Sequence, residues 1–310
     1  MGAHDSFSTS TNPFALSRDQ RISLSDQLSM GIRLLQGQGH ARDGIVHLCH
    51  TSCMLFDGGS VQDYLATVKA FLDVNPNEVV TILFTNPEEL SVEDYWHPAF
   101  VASGIAELAF VPADSPIATS EWPTLQNLIT SGKRVIVFMD KGTNSATVPY
   151  IISEFEHIWE TPYSVTDPTF PCKLDRIAGS PEHHMYLINH SLNMAIKLPF
   201  ASPIIVPNLF QASVTNGIES ILRHAEACKS IPESGGRCVS SFFDGFSVIT
   251  SIIGPQISYC LTGWMMVKSS KLESDSTVFD WGMSPCEQKV DIHLSIVDLL
   301  PLFVERPRLR

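Results

Sequence analysis

Short apolar runs that alternate with a helical pattern constrain the fold of this chain more than any other feature. Residues 78–85 (EVVTILFT) and 134–140 (RVIVFMD) are apolar and β-branched almost throughout. Strands have this composition when both faces of a parallel sheet are covered. Residues 60–73, just before the first run, place apolar side chains on one helical face, at Val61, Tyr64, Leu65, Val68, Phe71 and Leu72. This alternation predicts a parallel α/β architecture.

Further segments extend the pattern along the chain. The additional predicted strands are 31–38 (GIRLLQGQ), 45–50 (IVHLCH), 185–189 (MYLIN) and 238–244 (CVSSFFD), and a second helix is marked by Ile218, Ile221, Leu222 and Ala225. No glycine-rich phosphate loop follows the first strand, which argues against a nucleotide-binding doubly wound fold. We therefore predict an α/β barrel of the TIM type over residues 1–264, followed by a tail, 265–310, that the pattern does not assign.

Charge and hydropathy exclude several classes of partner. The chain carries 33 acidic and 20 basic residues, for a formal net charge of −13. An acidic protein repels the phosphate backbone, so nucleic acid is not expected as a partner. No stretch of 18 apolar residues is present, so no membrane-spanning segment is predicted. Contact with a membrane surface is then expected to be transient, because an anionic bilayer does not attract this charge.

Seven cysteines leave two interpretations open. They are buried thiols, or they form two or three disulfides in an oxidising compartment and leave one thiol unpaired. The local spacings favour Cys49 with Cys53, or Cys228 with Cys238, as disulfide candidates.

The residues best suited to acid–base chemistry are two histidines in polar motifs. His4 and Asp5 lie in GAHDS (residues 2–6), and His50 ends a predicted strand in LCHTSC. Histidine suits both proton removal and proton donation near neutral pH. A neighbouring carboxylate fixes the tautomer of such a base, and Asp244, at the end of a later predicted strand, is the candidate.

Polar residues also end other predicted strands, where barrel enzymes place their substrate contacts. These candidate substrate-binding residues are Gln36, Gln38, Thr85, Asp140, Lys141 and Asn189.

An ordered series of motifs resembles the X-domain of bacterial-type phosphatidylinositol-specific phospholipases C, and most closely that of their secreted fungal relatives. The series is GAHDS, GIRLLQGQ, IVHLCHTSC, VNPNEVVTILF, WPTLQNLITSGKRVIVFMD, IWETPYSVTDPTFPCKLDR and MYLINH, and the resemblance covers roughly residues 2–260. It implies a phosphodiesterase on a TIM-type barrel that needs no metal or other cofactor. The implied substrate is phosphatidylinositol or a glycosylated phosphoinositide.

The resemblance also implies roles for individual residues. His4 matches the general base, His50 matches the general acid, and Asp5 matches the aspartate that supports the acid. Asp244 matches the aspartate that hydrogen-bonds the base. The family strand aligned with 31–38 carries an aspartate and an arginine where this chain has Gln36 and Gln38, and the arginine would neutralise phosphoryl charge. Lys141, or a protonated His40, is the alternative source of that charge.

Only three residues precede His4, so the first barrel strand is expected to be largely missing, and the start of the chain to be truncated or misplaced. If the missing segment carries a signal peptide, the protein is expected to be secreted. Two alternative functions remain open: a Mg²⁺-dependent enzyme of the glycerophosphodiesterase or sphingomyelinase D type, and a catalytically weakened barrel that binds a lipid or headgroup.

Overall fold

The structure is a computed structural model that describes residues 2–10, 17–118, 121–181, 184–197, 203–229 and 231, and the backbone of 257–262. Its strands are β1 (Gly2–Ala3), β2 (Leu34–Arg42), β3 (Ile45–Cys49), β4 (Asp57–Ser60), β5 (Val80–Thr85), β6 (Val135–Met139), β7 (Ile151–Ser153), β8 (Ile158–Glu160), β9 (Met185–Asn189), β10 (Asn193–Ile196), β11 (Ile204–Pro207) and β12 (Ile257–Thr262). Its helices are α1 (Leu24–Ser29), α2 (Val61–Val74), α3 (His97–Ala102), α4 (Leu125–Ser131), α5 (Ala212–Thr215) and α6 (Ile218–Lys229), and a π-helical turn, Val92–Trp96, leads into α3.

One large mixed sheet organises the described residues, in the strand order β7-β6-β5-β2-β1-β12-β9-β8. Neighbouring strands from β7 to β1 are parallel, as are β8 and β9, whereas β12 runs antiparallel to β1 and β9. The predicted α/β fold with a parallel sheet is confirmed. Over the described part of the chain the sheet ends at β7 and β8 without closing, so a complete barrel remains a prediction.

The first strand is short but occupies the position expected for it. Gly2 and Ala3 pair in parallel with Leu34 and Leu35 of β2, and Gly2 pairs with Tyr259 on the other side. The strand that the sequence analysis expected to be largely missing is therefore present as two residues. His4 and Asp5 consequently emerge at the carboxyl end of a strand inside the sheet.

The strands β5 and β6 are buried on both faces, which explains their continuous apolar sequences. Ile82 and Val137 face the larger apolar cluster, whereas Leu83 and Ile136 face a second one. Each strand thus alternates between two cores rather than between core and solvent.

Helix α2 matches the predicted helix closely. The Ser60 hydroxyl oxygen accepts a hydrogen bond of 3.1 Å from the Asp63 backbone N–H and so caps the start of the helix. The helix ends at Val74, one residue beyond the predicted segment, with Asn75 as its C-cap. Leu65 and Val68 have no exposed surface and pack in the larger core cluster.

The other predicted elements differ mainly at their ends. The strand expected at 31–38 is observed as β2, which begins at Leu34 and continues to Arg42, and the helix expected around Ile218 is α6. The strand expected at 238–244 and the boundary expected at residue 264 lie outside the described residues.

The described residues form two disulfides, and one of them differs from the predicted pairing. The predicted Cys49–Cys53 pair is confirmed. Cys228 pairs with Cys172, 56 residues away, and not with Cys238. The reason is tertiary packing, because Cys228 and Ala225 of α6 pack in an apolar cluster that Cys172 also contacts. Local spacing does not reveal that contact.

Among the described residues, every helix is too short or too polar to cross a bilayer.

Candidate active site

His4 and Asp5 form the turn that follows β1. Asp5 is buried and has a φ of 40°, in the left-handed region that non-glycine residues seldom adopt. The Nε2 atom of His4 lies 3.4 Å from Oδ2 of Asp5. The side-chain amide of Gln20 donates a hydrogen bond of 2.8 Å to the His4 carbonyl oxygen, which fixes the turn from the other side.

His50 directly follows β3, next to the disulfide between Cys49 and Cys53. Its Nδ1 atom lies 2.7 Å from the Ser17 carbonyl oxygen and 2.8 Å from Oδ2 of Asp19, which is fully buried. Its Nε2 atom lies 3.5 Å from Oδ2 of Asp5. A carbonyl oxygen only accepts hydrogen bonds, so Nδ1 of His50 carries a hydrogen. His50 therefore lies between two buried carboxyl groups.

The two imidazoles face one another beside a single carboxyl oxygen. Their ring centroids are 6.5 Å apart and the ring planes are perpendicular. Each ring directs its Nε2 atom to Oδ2 of Asp5. The His4 side chain is 21% exposed and the His50 side chain 16%, so both rings remain accessible from outside. The arrangement can remove a proton with one ring and deliver a proton with the other.

The surroundings shift the pKa values of the two histidines in opposite directions. Burial lowers the pKa of His4, the Asp5 carboxylate opposes that shift, and the charge of His50 adds to it. Burial also disfavours the charged form of His50, but the Asp19 and Asp5 carboxylates outweigh it and raise the pKa of His50 to about 10. Near neutral pH the site therefore favours a neutral His4 and a protonated His50.

The two glutamines of β2 contact the backbone next to the histidines. The side-chain oxygen of Gln36 accepts a hydrogen bond of 2.7 Å from the Asp5 backbone N–H. The side-chain oxygen of Gln38 accepts a hydrogen bond of 2.7 Å from the Thr51 backbone N–H. Both glutamines thus belong to the cluster around the histidines, as contacts of the protein backbone.

The other predicted substrate contacts lie at the carboxyl ends of neighbouring strands. Thr85 pairs with Gln38 across β2 and β5, and its buried hydroxyl oxygen has no hydrogen-bond partner among the described residues. Asp140 accepts a hydrogen bond of 2.7 Å from the Asn86 backbone N–H, and the neighbouring Lys141 is exposed. Asn189 is buried and donates to the Thr161 carbonyl oxygen at 2.8 Å. The side chains of Asp140 and Asn189 therefore have partners of their own within the protein.

His40, the alternative source of positive charge, is engaged elsewhere, because its Nδ1 atom lies 2.9 Å from Oε1 of Glu88. Asp244 lies outside the described residues, so its predicted contact with His4 stays a prediction.

Two acidic features of the structure were not predicted from the sequence. The first is Asp19, described above. The second is a buried group formed by Glu154, which follows β7, and Glu160, which ends β8. The Arg176 guanidinium pairs with Glu160, with Nε 2.9 Å from Oε2. Burial, together with the charge of Glu160, raises the pKa of Glu154 well above its ordinary value. An acidic residue at the end of a short apolar strand was the available signal for Glu160.

Two side-chain groups of the described residues bring metal-ligating atoms close together. Those of His4, Asp5 and Asp19 lie within 4.8 Å of one another. Those of Cys172, His224 and Cys228 are equally close, but the two sulfurs form a disulfide and are not thiolate ligands. The predicted independence of the site from metal remains a prediction.

Comparisons with known proteins agree with the motif series. The family model described as PI-PLC X 1 matches residues 1–241. The PI-PLC X domain-containing protein 1 of Arthroderma benhamiae is 45% identical over 240 residues, which cover 74% of this chain and 75% of that protein. An uncharacterized secreted protein of the same fungus is 39% identical over 222 residues, which cover 70% of this chain and 49% of that protein. This chain thus spans about half the length of the second relative.

Similar solved structures are phosphatidylinositol-specific phospholipases C. The one from Listeria monocytogenes is 17% identical, with a TM-score of 0.38, and the match covers 53% of this chain and 62% of that chain. One from Staphylococcus aureus is 15% identical, with a TM-score of 0.41, and the match covers 75% of this chain and 68% of that chain.

The family model covers most of the chain. The relative that is 45% identical is also covered over 75% of its own length. The chain therefore belongs to the PI-PLC X family.

Proposed function

We propose that the protein is a metal-independent phosphodiesterase that cleaves a phosphatidylinositol-type lipid, with His4 as general base and His50 as general acid. The observation that carries this proposal is the pair of imidazoles 6.5 Å apart beside one buried carboxyl group. Their opposite pKa shifts support the same assignment, because a base must start neutral and an acid must start protonated.

The proposed reaction begins with an attack inside the substrate. The inositol 2-hydroxyl oxygen forms a bond to phosphorus, and its proton passes to His4. The bond between phosphorus and the glycerol oxygen breaks, and that oxygen takes a proton from His50. The products are a cyclic inositol phosphate and diacylglycerol, and the proton gained by His4 balances the proton lost by His50.

Asp5 and Asp19 would support the second histidine in this scheme. Asp19 and the Ser17 carbonyl oxygen hold Nδ1 of His50, which leaves Nε2 as the atom that faces Asp5 and the leaving group. A buried carboxylate that orients an imidazole and stabilises its charged form is the arrangement of catalytic triads.

Charge on the phosphoryl oxygens is the weak point of the site. Neutral glutamines at positions 36 and 38 provide no formal positive charge, and their side-chain oxygens face backbone N–H groups. Loss of a positive charge beside the phosphate is expected to raise the reaction barrier by about 2–4 kcal/mol, by analogy with the loss of one oxyanion-hole donor. Because positions 36 and 38 provide no such charge, we expect slow turnover. Lys141, which is exposed just after β6, is the cation that we propose to approach the phosphate.

We also propose that the protein acts outside the cell. Two disulfides support an oxidising compartment, and one relative is named a secreted protein. The net charge of −13 gives no attraction to anionic bilayers, so we expect brief contact with the surface of its lipid substrate.

The test is diacylglycerol release from phosphatidylinositol vesicles by the wild type and by His4→Ala and His50→Ala. Loss of a general acid or base is expected to reduce kcat by about 10²–10⁴-fold. His97→Ala is the matched control, since His97 bonds to the Tyr150 hydroxyl at 2.8 Å, apart from the His4–His50 cluster. Unchanged kcat in both site variants would overturn the mechanism.

Chelation of metal ions distinguishes the proposed mechanism from the metal-dependent alternative. The grouping of His4, Asp5 and Asp19 is the observation that favours that alternative. Activity that EDTA leaves intact supports the proposal. Activity that EDTA abolishes and Mg²⁺ restores would support the metal-dependent enzyme. Vesicle binding by the wild type without release of any product would support the binding-protein alternative.

A further inference from the structure

Two strained backbone positions directly follow the two histidines. Asp5 has a φ of 40° and Thr51 a φ of 65°, although neither is glycine. A β-branched residue such as Thr51 is a clear outlier in this region, because its side chain crowds the backbone. Such conformations persist only where the surrounding structure holds them, and they occur often at active sites.

One strand supplies a hydrogen bond to each of these positions. Gln36 and Gln38 are two residues apart on β2, so their side chains leave the same face of the sheet. The Gln36 oxygen accepts from the Asp5 N–H and the Gln38 oxygen accepts from the Thr51 N–H, each at 2.7 Å. A backbone N–H is a donor, so in both cases the amide oxygen must face it.

We propose that Gln36 and Gln38 form a clamp that positions the two histidines by holding the turns after β1 and β3. This inference rests on the proposed function and deepens it. The clamp explains why an acceptor is needed at position 38. Arginine, which the sequence analysis named as the family residue there, has no acceptor and cannot bind the Thr51 N–H.

Substitution at Gln38 separates the clamp from a simple loss of charge. If position 38 only lacks a cation, Gln38→Arg raises kcat. If Gln38 is part of the clamp, Gln38→Arg and Gln38→Met both lower kcat by about five- to tenfold, the value of one hydrogen bond. We expect KM to change less than kcat, because the defect lies in orientation rather than in binding. A higher kcat in Gln38→Arg would overturn the proposal.

A double mutant distinguishes the clamp from a direct contact of Gln38 with the substrate. Asparagine tolerates the left-handed region, so Thr51→Asn lowers the cost of the backbone conformation that the Gln38 hydrogen bond holds in place. Gln38→Met should then lower kcat less in the Thr51→Asn background than in the wild type. Equal losses in the two backgrounds would contradict the clamp.

Amide hydrogen exchange tests the clamp without any substrate. In Gln38→Met we expect the Thr51 amide to exchange about five- to tenfold faster, and in Gln36→Met the Asp5 amide. Gln126→Met is the matched control, since the side-chain amide of exposed Gln126 donates a hydrogen bond of 3.1 Å to the Thr130 hydroxyl within α4. Unchanged exchange at Thr51 in folded Gln38→Met would overturn the clamp. Gln38 is less buried than Gln36, so the Gln38→Met variant still tests the proposal if Gln36→Met fails to fold. Faster exchange in a protein that cleaves no lipid would support the clamp and reject the proposed function.

Discussion

Replacing Asp19 with asparagine tests whether this carboxylate keeps His50 protonated. Asparagine has nearly the same size and can still accept a hydrogen bond from Nδ1 of His50, but it carries no charge. The Asp19 Oδ2 atom lies 2.8 Å from Nδ1 of His50, so the charge acts at short range. The variant therefore changes the electrostatics of the pair while leaving its geometry largely intact.

The distance sets the size of the effect. Unit charges 2.8 Å apart attract by about 1.5 kcal/mol in a water-like medium and by about 6 kcal/mol at an effective dielectric constant of about 20. One pKa unit corresponds to about 1.4 kcal/mol. Asp19→Asn should thus lower the pKa of His50 by about one to four units from its raised value of about 10.

The assay is kcat/KM for phosphatidylinositol cleavage as a function of pH. If His50 is the general acid, the alkaline limb of the profile reports its pKa in the free enzyme. Asp19→Asn should move that limb to lower pH by at least about one unit. The acid limb should stay in place, because burial, Asp5 and His50 shift the pKa of His4, Asp19 does not act on it directly, and His50 is still protonated at the low pH of that limb.

Asp57→Asn is the matched control for this experiment. The Asp57 carboxylate forms a comparable pair with His47, with Oδ1 3.0 Å from Nδ1, outside the His4–His50 cluster. Its pH profile should match that of the wild type. An alkaline limb that stays fixed in folded Asp19→Asn would refute the reasoning, and so would an equal shift in the control.

Two predictions concern stability. Leu65→Ala on α2 should lower the free energy of unfolding by about 2–5 kcal/mol in urea titrations, because Leu65 is fully buried; exposed Val74→Ala should cost little, and equal losses would contradict the packing. The pKa of His50 is about 10 in the folded protein and near 6.5 in the unfolded chain. Protonated His50 therefore stabilises the fold fully below about pH 6.5, and this stabilisation is lost as the pH rises through about 10. The difference in unfolding free energy between the wild type and His50→Gln should therefore shrink over that range, and a constant difference would contradict the ion pairing.

Local sequence patterns predicted the parts of the fold that depend on local physics. The apolar runs that became β5 and β6 are buried on both faces, and the apolar face predicted over residues 60–73 became α2. The family resemblance of the motifs around His4 and His50 implied a general base and a general acid, and the geometry brings these two histidines together. Sheet neighbours explain this success, since β1 and β3 both pair with β2.

Features that depend on distant packing could not be predicted. Asp19 lies in a connecting segment with no strand or helix period, and its place near His50 depends on hydrogen bonds between this segment and Ser8, at 3.0 Å from the Asp19 N–H. The Cys172–Cys228 disulfide likewise depends on how α6 packs against a cluster formed by β8 and β9. The backbone contacts of Gln36 and Gln38 were missed because residue type alone suggested a contact with substrate.

The most direct test of the central claim is phosphorus NMR of phosphatidylinositol vesicles mixed with the purified protein. The proposed relay between His4 and His50 predicts a cyclic inositol phosphate as the first new signal, present with the wild type and absent with His4→Ala. A first product that is not cyclic would contradict the relay. So would formation of the cyclic product by His4→Ala at the wild-type rate.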